Sequence, residues 1–478
     1  MRFYWFVASA NLDGAWPTYM NYHDLLAEGF RAGQLHVPVA PHRELLTQAD
    51  PFDPVHIRLW LWDVTLYRAR YYMYWGPVPA LLQAAVKAAL GIDRLVGDQY
   101  IVFAAFSLCA LAGALLIERV QRRLFTNAPL WLVLLAIAAF GCANPVPYLL
   151  ATAGTYQASI AAAQAFLLIG LVFAADAVWQ RGSAAVYLLP AAGLSWALSL
   201  GSRVSTGAAI GALILLVALA RSWRDSPFDW RVLVRDGLLM GGPVALCGAA
   251  LLLYNRLRFD DWFNFGTDMM LTTFPFRLSA EYVLVNLYSY ALRPFSAHCD
   301  IPFVSAPWAP PLSVAMPATL SVPAGYQISE PLVGWIRVVP ATWFIPVALV
   351  GAYRSLRRSV QRLRAEPRDV YSLFSLAAFS LLVTLTGMAT LGLYFATMRY
   401  LSDVTSGLML LGAMGALALV HAAHRMRWRL PALGAAGLAM LATIAFGVLL
   451  GFEGYNKHFK LFNPQLAAHL QQTYSLCD

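Results

Sequence analysis

Ten apolar runs of membrane-crossing length set the limits on what this chain can fold into. They are Gln99–Ile117, Leu130–Leu150, Tyr156–Trp179, Ala184–Leu200, Gly207–Ala220, Gly237–Tyr254, Trp335–Tyr353, Val370–Phe395, Val404–Val420 and Leu430–Phe452. A helix needs about 20 apolar residues to cross a bilayer core. Lipid offers no partner to backbone N–H and C=O groups, so runs of this kind close their hydrogen bonds within a helix. Charged residues are only 12% of the chain, against about 25% in soluble domains, which excludes an ordinary globular protein. Residues 1–10 form a shorter apolar start, read here as an incomplete first transmembrane helix. The expected fold is all-α and polytopic. It is a single domain of about eleven transmembrane helices with two long loops, Asn11–Asp98 and Asn255–Gly334, and a tail from Glu453.

Arginines orient the runs. With the apolar start beginning in the cytoplasm, Arg119, Arg122, Arg123 and Arg181 fall on the cytoplasmic side. So do Arg221, Arg224, Arg231 and Arg235, the group from Arg354 to Arg368, and Arg425, Arg427 and Arg429. This is the bias described by the positive-inside rule. Both long loops and the tail then face outward from a bacterial inner membrane. The net charge of +9 sits at helix ends rather than on one face, which speaks against nucleic acid as a partner. Cys109, Cys142 and Cys247 lie in apolar runs and behave as small hydrophobes. Cys299 and Cys477 share the outer side, where they can pair in an oxidising compartment or remain two thiols.

Loop one is crowded with Asp, His, Arg, Pro and aromatic residues. Loops of this kind carry chemistry when a rigid scaffold positions them. Tyr22–Leu35 reads as a short helix with Leu25, Leu26 and Phe30 on one face and Gly33 near its end. Val78–Leu90 is a second amphipathic segment, introduced by Gly76, Pro77 and Pro79. Both suit a position along the membrane surface. Loop two is proline-rich from Pro302 to Pro331.

Several strings carry a family resemblance. They are the run from Asn21 to Phe30 with Gly33-Gln34-Leu35, Trp62-Asp63-Val64-Thr65-Leu66-Tyr67, and Tyr71-Tyr72-Met73-Tyr74-Trp75-Gly76-Pro77. Gly201-Ser202-Arg203, the run from Tyr254 to Phe259, and Met398-Arg399-Tyr400-Leu401-Ser402-Asp403 continue the series. Together with the layout they resemble a family 39-like group of bacterial membrane proteins. More broadly, the chain resembles the GT-C class of glycosyltransferases, which includes oligosaccharyltransferase catalytic subunits, protein mannosyltransferases and aminoarabinose transferases. The resemblance implies transfer of a sugar from a polyprenyl-phosphate donor to a lipid, glycan or protein acceptor on the outer face. It also implies a catalytic carboxylate in the first outer loop.

Asp13, directly after the apolar start, occupies that place, and Asp63 in the best-matching string competes with it. Asp24 comes third. The bland readings are a turn-forming Asp13 before Gly14 and Pro17, and an Asp63 that caps a helix or pairs with Arg68 or Arg70. For donor phosphate the candidates are Arg203, Arg399 and Asp403, since a guanidinium fork binds phosphate oxygens. Arg203 is costly at its depth without a partner or a polar cavity. Arg399 and Asp403, spaced i,i+4, can also pair with each other. Tyr72, Tyr74 and Trp75 can stack on a sugar or anchor the loop in an interfacial belt. Arg256 and Asp268 are candidates for the acceptor side or ordinary solvated charge. His298, Cys299 and Asp300 lack metal-ligand spacing and no HExxH occurs; no cofactor is called, and a divalent metal stays open. The rival classes are a transporter or lipid flippase, which favours broken or ionisable helices at the midplane, and a catalytically silent protein of the same fold.

Overall fold

The computed structural model describes residues 1–180, 184–224, 228–274, 276–307, 321–328, 330–361, 366–454 and 457–476. Among the described residues eight helices are long and apolar enough to cross a membrane. Four of them are α4 (Gln99–Leu124), α7 (Thr155–Trp179), α8 (Ala184–Ser202) and α10 (Trp230–Phe259). The helices Pro367–Leu391 and Met398–Ala423 are two more. The other two spans contain α9 (Gly207–Arg224) and the helix Arg429–Glu453. The remaining three of the eleven expected elements are shorter. The start folds as α1 (Arg2–Ala8). Leu130–Leu150 divides at Asn144-Pro145 into α5 (Leu130–Cys142) and α6 (Val146–Leu150). Trp335–Tyr353 divides at Val339-Pro340, because proline supplies no N–H to a preceding turn.

α7 is the centre of the bundle, its residues buried along nearly the whole length by α4 and α8. α10 touches little besides α8 and α9 and exposes Leu238, Leu246, Leu253 and Leu257. An apolar face of that length is compatible with lipid rather than with water. At the end of the bundle remote from loop one, each buried acid has an arginine. Arg119 and Arg123 hold Asp176, Arg221 and Arg235 hold Asp236, and Arg358 holds Asp369.

Loop one folds into a small body with its own core of Tyr22, Leu26, Val37, Leu45, Val64, Leu66, Tyr71, Met73 and Ala80. Its helices are α2 (Tyr22–Arg31) and α3 (Val78–Leu90), the latter stopped by Gly91 in the left-handed region at φ 63°. β1 (Thr65–Tyr67) and β2 (Arg70–Tyr72) form an antiparallel hairpin. Loop two is sewn to it. Asp63 N donates to Leu271 O and Leu271 N to Val64 O, both at 2.9 Å, and Leu271 completes the small core. Arg258 at the end of α10 donates to Met73 O at 2.5 Å and stacks on Tyr254 at 3.8 Å.

One backbone contact seats the loop on the bundle. A Cβ at Gly76 would lie 2.1 Å from Gly201 O at the end of α8. No side chain fits between the two chains. Gly76→Val is expected to cost about 3 kcal/mol through forced displacement, lowering the thermal midpoint of purified protein, while Gly14→Val, which has open space, leaves it unchanged.

Cys109, Cys142 and Cys247 are free thiols. Cys299 is disulfide-bonded; Cys477, with which it can pair or not on the sequence alone, lies outside the described residues.

Candidate functional site

Asp63 precedes β1 at φ 56°, a left-handed conformation that Asp tolerates better than most residues. The seam to Leu271 holds its backbone, so the side chain is aimed by the fold and not by its own preference. It is 8% exposed. Tyr156, in the first turn of α7, donates its hydroxyl to Asp63 Oδ2. Asp63 Oδ1 is buried and has no hydrogen-bond partner. Leaving such an oxygen unsatisfied costs on the order of 1–3 kcal/mol, and groups of this kind call for a ligand, a water or a catalytic role.

Aromatic rings wall the carboxylate. Trp75 meets Tyr156 edge-on at 5.3 Å and lies 4.0 Å from Tyr74. Tyr22 donates its hydroxyl to Trp62 O at 2.8 Å. Burial, aided by the Asp63 charge, raises the Tyr74 phenol well above its ordinary value, so it stays a neutral donor.

Two guanidinium groups complete the cluster. Arg399, in the first turn of Met398–Ala423, stacks on Tyr156 at 4.4 Å and Tyr400 at 5.4 Å. It pairs with Glu330 of loop two, which also accepts from Thr397 Oγ1. Arg203, just after α8, faces the other neighbour of that ring, 5.6 Å from the Tyr400 centroid, and pairs with Asp403. Asp403 therefore serves Arg203, not Arg399 one turn before it. Asp403 Oδ2 is buried without a partner. Each arginine uses one nitrogen on its carboxylate and keeps donors free in a low-dielectric setting. Such an arrangement binds oxyanions.

The other candidates fall elsewhere. Asp13 is exposed beyond α1, and no hydrogen bond or ion pair among the described residues ties it to this cluster. Tyr72 packs on Phe259 at 5.4 Å and His36 at 6.0 Å. Arg256 bonds Asp260 O and is exposed, as is Asp268. Glu330 and Tyr156 escaped sequence reasoning. A signal existed for Glu330, the only acid between Asp300 and Glu366. Among the described residues no group of three or more His, Cys, Asp or Glu is placed to hold a metal ion.

Asp24 is fully buried and bonded at both oxygens. It accepts from Lys87 Nζ at 2.7 Å, Val96 N at 2.5 Å and Gly97 N at 2.9 Å. Lys87, 1% exposed, also reaches Glu28. Asp98 takes the N–H groups of His23 and Asp24 and the Thr155 hydroxyl. Burial pushes Asp98 up to about 7 against those bonds, and burial pushes His23 down to about 3. This network locks α2 to α3 and α7, and both Asp24 oxygens are engaged inside it.

No protein-family model and no curated protein matches the chain. Among solved structures it is similar to the archaeal oligosaccharyltransferase AglB from Archaeoglobus fulgidus, in complex with an inhibitory peptide and a dolichol-phosphate. The identity is 13% and the TM-score 0.47, covering 94% of this chain and 54% of that one. It is also similar to ArnT from Cupriavidus metallidurans bound to undecaprenyl phosphate, at 12% identity and TM-score 0.41, covering 98% and 77%. The chain thus spans about half the length of the oligosaccharyltransferase it matches.

Asp24→Ala is expected to destabilise the protein by about 3 kcal/mol, because the buried Val96 and Gly97 amides lose their acceptor and Lys87 keeps only Glu28, seen as loss of folded protein. His23 is neutral when folded and titrates near 6.5 when unfolded. Its contribution is therefore whole above pH 6.5 and falls by about 1.4 kcal/mol per pH unit down to about pH 3. Melting curves of wild type and His23→Gln should converge as pH drops through that window. Asp98, whose raised value acts in the opposite sense, is common to both.

Proposed function

We propose that the chain is a membrane glycosyltransferase of the GT-C type, taking a sugar from a polyprenyl-phosphate donor at the end of the bundle where the two loops meet. The observation that carries this reading is Asp63: a buried carboxylate with one oxygen held by Tyr156 and the other open, beside two arginines with donors to spare. The strings that carry the family resemblance supply three of these residues, Asp63, Arg203 and Arg399. Eight apolar helices beneath the site give a lipid-borne donor its solvent, and the distribution of arginines supports placing this end outside the cytoplasm of an inner membrane.

In the proposed reaction the unpartnered oxygen of Asp63 takes the proton from an acceptor hydroxyl as the acceptor's oxygen attacks the anomeric carbon. The carbon–oxygen bond to the phosphate breaks, and its electron pair leaves on the polyprenyl phosphate. Arg399 and Arg203 hold the phosphate as its charge grows, which stabilises the transition state more than the ground state. Tyr156 fixes the carboxylate so that the right oxygen faces the acceptor. Tyr74 and Trp75 bound the sugar.

The test is turnover of polyprenyl-phosphate sugars by purified protein in lipid nanodiscs, reading released polyprenyl phosphate. Asp63→Asn should lose activity by about 10²–10⁴-fold with an unchanged melting curve. Arg399→Gln, made together with Glu330→Gln to avoid stranding a carboxylate, should also lose turnover. Full activity in Asp63→Asn with none in Asp13→Asn would move the base to Asp13 and sink this assignment.

A further inference from the structure

Arg293 follows α11 (Val283–Ala291) in loop two and is 0% exposed. Its Nε, Nη1 and Nη2 are all buried and none has a hydrogen-bond partner. A guanidinium is never neutral in a protein, so this is a whole charge held out of water with nothing to compensate it. The chain knows how to satisfy such a group. Arg258, 4% exposed, donates to Met73 O and Asn255 Oδ1 and stacks on Tyr254. Arg293 lacks any equivalent.

Its surroundings are polar but uncharged. The phenols of Tyr326 and Tyr288 are its electrostatic neighbours. Tyr326 donates to Asn286 Oδ1 at 2.8 Å and meets Ser289 Oγ at 3.3 Å. Asn286 in turn spends its amide on Leu391 O and Leu393 O. No carboxylate stands among these groups. The backbone on either side is tightly fixed: Gly334 N donates to Arg293 O at 2.9 Å, and a Cβ at Gly334 would lie 2.5 Å from Arg293 N. Four residues earlier the same segment carries Glu330, the partner of Arg399.

We propose that Arg293 is an anion-binding residue that receives a phosphate group, at a site separate from the Arg399–Arg203 pair. Three unpartnered nitrogens, with five N–H donors in one plane, match two oxygens of a tetrahedral oxyanion, and a doubly charged phosphate compensates the buried cation more fully than a carboxylate does. A buried charge without a counter-ion destabilises the empty protein, so its place is explained by the ligand and not by the fold. The site stands whether or not the transfer reaction proposed above is the correct one.

The experiment is thermal unfolding of the full chain in nanodiscs, titrated with inorganic phosphate against chloride at constant ionic strength. Wild type should rise in melting temperature with phosphate and not with acetate. In Arg293→Met the rise should fall by at least half, while the melting temperature without phosphate goes up. Arg293→Lys, which keeps charge but not the fork, should need about tenfold more phosphate. A second arm uses geranyl phosphate: a response at much lower concentration assigns the group to a prenyl lipid, and an equal one to free phosphate. An unchanged rise in both variants, a lower melting temperature of Arg293→Met without phosphate, or an equal response to acetate overturns the proposal. Arg399→Gln made together with Glu330→Gln separates the two sites, because the pair of changes should stop sugar transfer yet keep the Arg293-dependent part of the rise.

Discussion

The ion pair between Arg399 and Glu330 joins the first turn of a bundle helix to a loop that leaves the bundle more than sixty residues earlier. Everything at this end leans on it. Arg399 holds the faces of Tyr156 and Tyr400, Tyr156 holds Asp63, and Tyr400 is the ring that Arg203 shares. Charged groups in a poorly solvated place are tolerable only when each has a partner, and removing either partner strands the other at a cost of several kcal/mol. The cluster therefore orders as a unit. Its two unsatisfied carboxylate oxygens, on Asp63 and Asp403, are the exceptions, and both are buried from bulk water.

The two ends of the bundle handle the same chemistry differently. Remote from loop one, Asp176 is shared by Arg119 and Arg123, and Asp236 by Arg221 and Arg235, so acids are outnumbered and saturated. Such pairs fasten helices and offer a ligand nothing. At the loop end Arg399 meets Glu330 and Arg203 meets Asp403, each through a single nitrogen over an aromatic face, and Asp63 is bonded to a tyrosine hydroxyl instead of an arginine. The difference between a staple and a binding site here is which donors and acceptors are left over.

Hydropathy made the bundle legible because a spanning helix needs one simple property sustained over a long stretch. Eight runs emerged as single spanning helices. The breaks at Pro145 and Pro340 were visible as prolines, but a hydropathy window averages over them. Asp63, Arg203 and Arg399 could be singled out because charge beside apolar sequence is expensive and must be explained. Their pairing could not. The i,i+4 spacing of Arg399 and Asp403 suggested a local contact, whereas tertiary packing gave each a partner from another element, Glu330 and Arg203. Asp24 looked like chemistry for the same reason as Asp63. Only the backbone amides of Val96 and Gly97 and the Lys87 ammonium, all more than sixty residues away, reveal that both its oxygens are tied into the packing of the loop.

The backbone at Asp63 narrows what can stand there. At φ 56° a β-branched or long side chain is strained, while Asp and Asn sit comfortably. Glutamate, the ordinary chemical substitute for aspartate, would have to fight the turn and then overshoot Tyr156 by a methylene. The position is thus open to two residue types that share a shape and differ only in whether they accept a proton. If Asp63 is the base of the proposed reaction, one inherited nucleotide change turns a reacting protein into a merely holding one without disturbing the seam that surrounds it.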